Sequence, residues 1–273
     1  MNFYYDKEKL SYERLLGKGK FGHVYLANLR IDNNRKKVAV KICEKPRHVD
    51  FSSSYDSQDF REALQNEIDI LKSCNFKSII KLYDNYNYKN KYYLIMEYVE
   101  GRDMYSRIQE TKINEKEALR YVKQIARALI YLHLNYIFHG DLKPENIMLD
   151  REDKIKLIDF GHAKKFKPGQ TFTETIGTVY YLAPEVAKRD SYDYKIDIWA
   201  LGVIYYEMLA KIPPFFIEDA EEENTEDEEE ILEMIIIGEY KFPSYFSSVL
   251  KKQIQKILQK ANKRAALHDI LAF

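Results

Sequence analysis

Up to Val99 the apolar residues fall in short β-branched or aromatic runs broken by glycine, asparagine and lysine; beyond Gly101 they fall at helical spacing. The runs YERLLGKG, HVYLANLR, KKVAVKIC, IIKLYDNYNY and KYYLIMEYV predict five strands, because branched and aromatic side chains fit a pleated surface and the residues between them favour turns. One helix interrupts them: in SQDFREALQNEIDILKSC, Phe60, Leu64, Ile68 and Leu71 are spaced four, four and three, the stripe of an amphipathic helix. In NEKEALRYVKQIARALIYLHLNY, Ala118, Val122, Ile125, Leu129 and Leu132 share a face, and Asn114 with Glu117 three residues on predicts a capping box. The longest apolar stretch, IWALGVIYYEMLA at 198–210, is too short to span a bilayer and carries Glu207, so it predicts a buried helix. The pattern as a whole predicts an α+β chain, with a small strand-rich lobe over 10–98 joined near Glu97 to Gly101 to a larger, mainly helical lobe over 99–273. No internal repeat occurs. Two stretches are expected to be mobile, RHVDFSSSYDSQD and EDAEEENTEDEEE at 218–230, the second being too acidic and too poor in apolar residues to pack by itself.

Composition narrows the partners. With 43 basic and 43 acidic residues among 273, nothing in the balance favours nucleic acid or a membrane surface. Cys43 and Cys74 lack CxxC spacing or a partner cluster, which excludes a disulfide scaffold and favours a reducing compartment. The opening MNFYYDKEKL has no apolar core of the kind a secretory leader needs. A place inside the cell is therefore expected, in the cytoplasm with the nucleus left open.

Three stretches carry chemistry. GKGKFGHV sets Gly17, Gly19 and Gly22 in G-x-G-x-x-G spacing, which dinucleotide-binding folds also use; there the loop opens a helix, whereas here it runs into a strand, so a hairpin with its amides over phosphates is expected. VAVK ends in Lys41, and Glu67 lies on the amphipathic helix where the two can meet. Such a pair at about 4 Å gains roughly 4 kcal/mol before desolvation at an effective dielectric near 20. The plain alternative is a surface salt bridge, which is worth little. HGDLKPENIML at 139–149 packs two carboxylates, a lysine and an asparagine into a few positions before turning apolar, a costly concentration of charge unless the charges act on something.

Taken with DFG at 159–161, APE at 183–185 and DIWALGV from Asp197, the order and spacing of these motifs resemble the eukaryotic protein kinases, from about residue 10 to the end. The resemblance implies a two-lobed kinase fold over 1–273, with an antiparallel sheet and one helix in the small lobe, and transfer of the ATP γ-phosphate to Ser/Thr hydroxyls of proteins with Mg²⁺. It implies that Asp141 accepts or orients the substrate proton, that Lys143 neutralises the transferring phosphoryl group, and that Asn146 and Asp159 hold Mg²⁺. Lys41, held by Glu67, would meet the ATP phosphates under the loop formed by Gly17, Lys18, Gly19, Lys20, Phe21, Gly22 and His23. Leu16, Val24, Ala39 and Met148 would sandwich the adenine, with Met96 behind it and backbone groups of Glu97 and Val99 beside it; Asp103 would reach the ribose. Leu71, Leu82, His139 and Phe160 match a stacked column anchored by Asp197, which makes His139 structural.

The lysine two residues after Asp141 and GTVYYLAPE, with Thr178 near Asp141 and Lys143, resemble the serine/threonine class. HGDLKPENIMLD, IKLIDFG and GTVYYLAPEV look like the calcium/calmodulin-dependent group, including protist calcium-dependent and death-associated kinases, while LGKGKFGHVYLA looks like the Aurora kinases. Gly140 stands where many kinases carry an arginine that grips a phosphate on the activation loop, and Glu174 stands where that phosphorylated residue commonly sits. Both departures imply a domain active without activation-loop phosphorylation, with Glu174 paired to Lys164 and with Thr173 and Thr175 as the remaining candidate sites. Asp103 and Glu145 match positions that receive an upstream arginine or lysine of a protein substrate, to which the acidic run at 218–230 would add field, unless it is merely a solvated loop. A pseudokinase scaffold would be favoured by loss of Lys41, Asp141, Asn146 or Asp159, and none is lost. A small-molecule kinase is disfavoured by GTVYYLAPE and by Arg264, which would pair with Glu185.

Overall fold

The computed structural model describes residues 10–19, 22–31, 34–44, 57–217 and 225–273. They fall into two compact units, the first running to Asn75 and resuming from Ile80 to Glu100, the second taking Phe76–Ile79 and everything from Gly101.

In the first unit β1 (Leu10–Gly19), β2 (Gly22–Ile31), β3 (Asn34–Glu44), β4 (Leu82–Tyr88) and β5 (Lys91–Glu97) form an antiparallel sheet in the order β1-β2-β3-β5-β4. All five predicted strands are present. The fourth is shorter than its apolar run suggests, because Ile79 bridges to Leu157 and Ser78 accepts from the Leu157 N–H, which ties this end of the run to the second unit. Alternation on β3 sorts the side chains by face. Val38 and Val40 pack with Ala27 and Ile95 beneath Tyr83, Tyr86 and Tyr93, while Ala39, Lys41 and Cys43 take the other face. The helix α1 (Ser57–Ser73) buries Phe60, Leu64, Ile68 and Leu71 as the spacing predicts, each worth about 1.5–3 kcal/mol over exposure. Phe60 meets the ring of Tyr92 edge-on at 6.1 Å. Of the stretch expected to be mobile before this helix, residues 47–56 lie outside the described residues.

The second unit begins with β6 (Gly101–Asp103), α2 (Met104–Glu110) and α3 (Glu115–Leu134), and continues through β7 (Ile137–Phe138), β8 (Ile147–Asp150), β9 (Ile155–Leu157) and β10 (Lys164–Lys165). It closes with α4 (Pro184–Ala187), α5 (Ile196–Ala210), α6 (Thr225–Ile237), α7 (Ser248–Ile257) and α8 (Leu267–Leu271). Its sheets are small: β6-β8-β9 and β10-β7. The predicted face of α3 is fully buried, and Asn114 caps it by accepting from the Glu117 N–H at 3.0 Å. The second half of the capping box does not form. The Glu117 carboxylate accepts from Arg107 at 2.6 Å and from the Tyr121 hydroxyl at 3.2 Å instead, since a buried guanidinium is a stronger partner than a cap amide.

The helix α5 is buried along almost its whole length, as its composition demands. Arg264 docks α4 beside it, with Nη1 and Nη2 donating to both oxygens of Glu185 at 2.8 and 2.9 Å and Nη1 also to the Lys195 carbonyl at 2.8 Å. The acidic run corrects the expectation of a mobile loop where it is described. From Thr225 it forms α6, whose Ile231 and Ile235 are buried, and carboxylates crowded into a helix's first turns are favoured by the unpaired N–H groups there. Residues 218–224 lie outside the described residues. Among the described residues no helix is long and apolar enough to cross a membrane.

Candidate active site

In the first unit the cross-strand register sets Val24 opposite Lys41 and Ala39 opposite Met96, so these four side chains share the face of the sheet away from the tyrosines. Lys41 Nζ donates to both oxygens of Glu67 on α1, at 2.7 and 3.0 Å, with side chains 18% and 7% exposed. This is no surface bridge: two hydrogen bonds in a largely dry setting fix the ammonium. Gly17, Lys18 and Gly19 form the exposed end of the β1–β2 hairpin, and Leu16 sits at the register shift between Leu15 and Gly17. Gly22 has a steric reason to be glycine, because a Cβ there would lie 1.9 Å from the Ile42 carbonyl oxygen. His23 pairs with Ile42 and lies near Tyr25, ring centroids 6.3 Å apart, so its side chain occupies the opposite face and only its backbone can serve the glycine loop. Lys20 and Phe21 lie outside the described residues. Glu97 donates its N–H to the Lys81 carbonyl at 2.8 Å, and Val99 is buried.

The second unit gathers three of the sequence-predicted residues around the carboxylate of a fourth, Asp141. Thr178 Oγ1 donates to Asp141 Oδ1 at 2.8 Å and accepts from Lys143 Nζ at 2.8 Å, while Lys143 Nζ also stands 3.4 Å from Asp141 Oδ2. Asn146 Nδ2 donates to the Asp141 carbonyl at 2.8 Å and reaches Oδ2 at 3.3 Å. The fold brings these together with a short turn, Pro144–Asn146, that starts on Pro144 and leads into β8. The Ile158 N–H donates to the Asn146 carbonyl at 3.0 Å, which sets Asp159 next in line, and Asp159 Oδ1 accepts from the Gly161 N–H at 3.2 Å. Met148 and Asp103 are directly paired across β8 and β6. Asp103 caps α2, accepting from Ser106 N at 2.7 Å and Ser106 Oγ at 3.0 Å, which fixes its carboxylate in place; Glu145, in the Pro144–Asn146 turn, is exposed.

Beneath this cluster Asp197, 1% exposed, accepts from the His139 and Gly140 N–H groups at 2.9 and 3.0 Å and from His133 Nε2 at 2.9 Å. Burial by itself would raise its carboxyl, but the hydrogen bond and charge of His133 with the Gly140 amide outweigh that and hold it below the usual range. His139 is fully buried against Phe160, ring centroids 5.1 Å apart, and burial pushes it below the ordinary histidine value, so it is neutral and structural. Gly140 is a conformational requirement as well as a missing cation. Its φ is +77°, and a Cβ would lie 2.6 Å from the His162 carbonyl oxygen and 3.0 Å from Ile176 Cδ1. The pairing of Glu174 with Lys164 is present at 3.2 Å. Glu174 is 59% exposed in that pair, so the pair holds little by itself.

Sequence reasoning missed one buried link. The Tyr181 hydroxyl donates to Glu207 Oε2 at 2.8 Å, fastening the turn that follows Thr178 onto α5. Burial pushes Glu207 up to about 7, with the charge of Glu145 adding and the Tyr181 bond opposing. A carboxyl raised from 4.5 in the unfolded chain keeps its proton longer in the folded state, so its contribution to stability falls as pH rises from 4.5 to about 7 and is flat above. Glu207→Gln keeps the acceptor for Tyr181 and removes the titration. It is expected to stabilise the protein at pH 8 by up to about 3 kcal/mol and to change little at pH 4.5, read by denaturant melts at both pH values.

Compared with known proteins, the sequence model of the protein kinase domain matches residues 10–272. Aurora kinase A-B of Xenopus laevis is 33% identical over 263 residues, covering 94% of this chain and 59% of that protein. Calcium-dependent protein kinase 4 of Plasmodium falciparum (isolate 3D7) is 36% identical over 254 residues, covering 90% of this chain and 45% of that protein. Serine/threonine-protein kinase Aurora-2 of Arabidopsis thaliana is 33% identical over 261 residues, covering 94% and 86%. The chain thus spans about half of the first two, and the two groups match at similar identity, in keeping with motifs that resemble both.

Proposed function

The chain belongs to the protein kinase domain family, and from that premise we propose that it is a serine/threonine protein kinase, acting inside the cell on protein substrates with upstream arginine or lysine and needing no phosphate on its activation loop. One observation carries the catalytic part: Asp141, Thr178, Lys143 and Asn146 form a closed hydrogen-bonded set around one carboxylate. Kinases of this family use ATP and Mg²⁺ as a general rule, and the donors here suit both. The Asn146 amide nitrogen is committed to Asp141, which leaves its oxygen, with the Asp159 carboxylate, as the hard donors that Mg²⁺ prefers. Bound as the magnesium complex, ATP supplies the γ-phosphoryl group. Asp141 takes the proton of the serine or threonine hydroxyl as its oxygen bonds to phosphorus and the bond to ADP breaks, and Lys143 offsets the charge on the transferring group. Lys41, immobilised by Glu67, would hold the ATP phosphates.

Two features support the regulatory part. Gly140 has neither a side chain nor room for one, and Glu174 already supplies an anion to Lys164. The preference for basic residues rests on the fixed charge of Asp103 and the exposed carboxylate of Glu145. No observation favours a catalytically silent scaffold, since Lys41, Asp141, Asn146 and Asp159 are all in place in the sequence. The test is phosphorylation of a peptide array by phosphatase-treated protein, parent beside Thr173→Ala/Thr175→Ala. The double variant is expected to keep activity within about twofold, the scale of ordinary surface changes, and both proteins to favour peptides with Arg or Lys upstream. Loss of activity in the double variant sinks the regulatory reading, and an array without basic preference sinks the substrate reading.

A further inference from the structure

The Glu174–Lys164 pair is too exposed to hold the activation loop, so its order needs another source. Between Gly161 and Thr178 the loop carries two phenylalanines, Phe166 and Phe172, and both are held. Phe172 and Tyr192 exchange both backbone hydrogen bonds, at 2.8 and 2.9 Å, and the Tyr192 hydroxyl donates to the Glu174 carbonyl at 2.8 Å. The Phe172 ring is nearly buried, 6.0 Å from that of Tyr192 and edge-on to the fully buried Phe138 at 5.1 Å. Six residues earlier, Phe166 stacks on Tyr194 at 4.9 Å and 13°. Tyr194 in turn lies edge-on to His133 at 4.9 Å, and His133 bonds the Asp197 carboxylate that holds the His139 and Gly140 amides.

We propose that Phe166 and Phe172 of the loop, seated against Tyr194, Tyr192 and Phe138, are positioning residues: an aromatic latch that orders the activation loop where an arginine–phosphate pair would otherwise do so. Aromatic pairs of this geometry attract beyond their burial and are indifferent to salt and to phosphatase. The latch is also continuous, through Tyr194 and His133, with the carboxylate that fixes the backbone next to Asp141. The inference rests on the reading that the loop works without phosphate.

The experiment uses the dephosphorylated full chain. In the parent, hydrogen exchange at the Phe172 and Tyr192 amides should be slow, as for a sheet pair; exchange at open-loop rates overturns the latch without any variant. Phe172→Ala should lose about 10²-fold in kcat/KM, the scale of a misplacement near 1 Å, with KM for the peptide raised and KM for ATP unchanged, and Phe172→Tyr should restore both. A merely structural role would lower kcat through loss of active molecules while leaving the peptide KM alone, and that result also overturns the proposal. Thr173→Ala/Thr175→Ala run in parallel separates the two levels. If it is inactive, the phosphate-free reading falls and the latch with it. If it is active while Phe172→Ala also keeps the parent's peptide KM, the latch alone falls.

Discussion

Asp141→Asn is expected to lower kcat for protein phosphorylation by about 10²–10⁴-fold, the range that general-base assistance supplies, while ATP binding stays near that of the parent. The asparagine has the shape of the aspartate and can fill its place, but its amide cannot take the substrate proton. Local geometry gives a second consequence. Asp141 Oδ1 accepts from Thr178 and Oδ2 faces Asn146 and Lys143, so every nearby partner is a donor. Whichever way the amide turns, its NH₂ group meets one of them and a hydrogen bond is lost, worth about 1 kcal/mol or a fall in Tm of roughly 2–4 °C. Steady-state assays with labelled ATP, calorimetry with ATP and Mg²⁺, and a thermal melt read the three effects together. Activity within roughly tenfold of the parent would mean that Asp141 does not accept the proton.

Much of this site could be read from the chain because its signals are local. Lys41 and Glu67 sit on a strand and a helix whose periodicities each announce themselves, and the pair is found at 2.7 Å. Asp141, Lys143 and Asn146 lie within six consecutive residues, so any fold that keeps the loop keeps them together. What the sequence hides is the choice among partners. Glu117 had the spacing of a capping-box residue, yet Arg107, ten residues back, outcompeted the cap amide. The acidic residues from Thr225 onward looked unable to pack because composition was averaged over the run, whereas Ile231 and Ile235 just beyond it bury one side of a helix that tolerates carboxylates at its start. The tyrosine partners of Phe166 and Phe172, Tyr194 and Tyr192, are twenty or more residues away on a segment with no motif of its own, and a tyrosine among 23 tyrosines draws no notice.

Gly140 shows the same limit from the other side. As a letter it reads as a missing arginine, a statement about charge. In the fold it is a residue at φ +77° with the His162 carbonyl where a Cβ would be, a statement about space. Putting an arginine back therefore does not restore a phosphate grip without moving the segment that carries His162. The absence of the arginine and the packing around it belong together.

The anchor below that glycine should show the largest stability effect in the chain. Asp197→Ala removes the acceptor of two buried backbone N–H groups and of His133 Nε2 together. Each buried donor left without a partner costs about 1–3 kcal/mol, and breaking a buried pair about 3–5 kcal/mol, so a total near the latter range and a fall in Tm of roughly 6–20 °C is expected. The dependence on pH has a definite sign. The folded carboxyl lies below the 3.8 of the unfolded chain, so its contribution is fully present above that value and fades as pH falls through the folded value. Parent and Asp197→Ala should therefore differ most from pH 5 upward and draw together only below pH 3.8. Chemical melts of both proteins between pH 3 and 7 decide the matter. A gap that stays constant across that range would show that the aspartate acts through packing and not through its charge, and a variant as stable as the parent would show that the catalytic loop is anchored elsewhere.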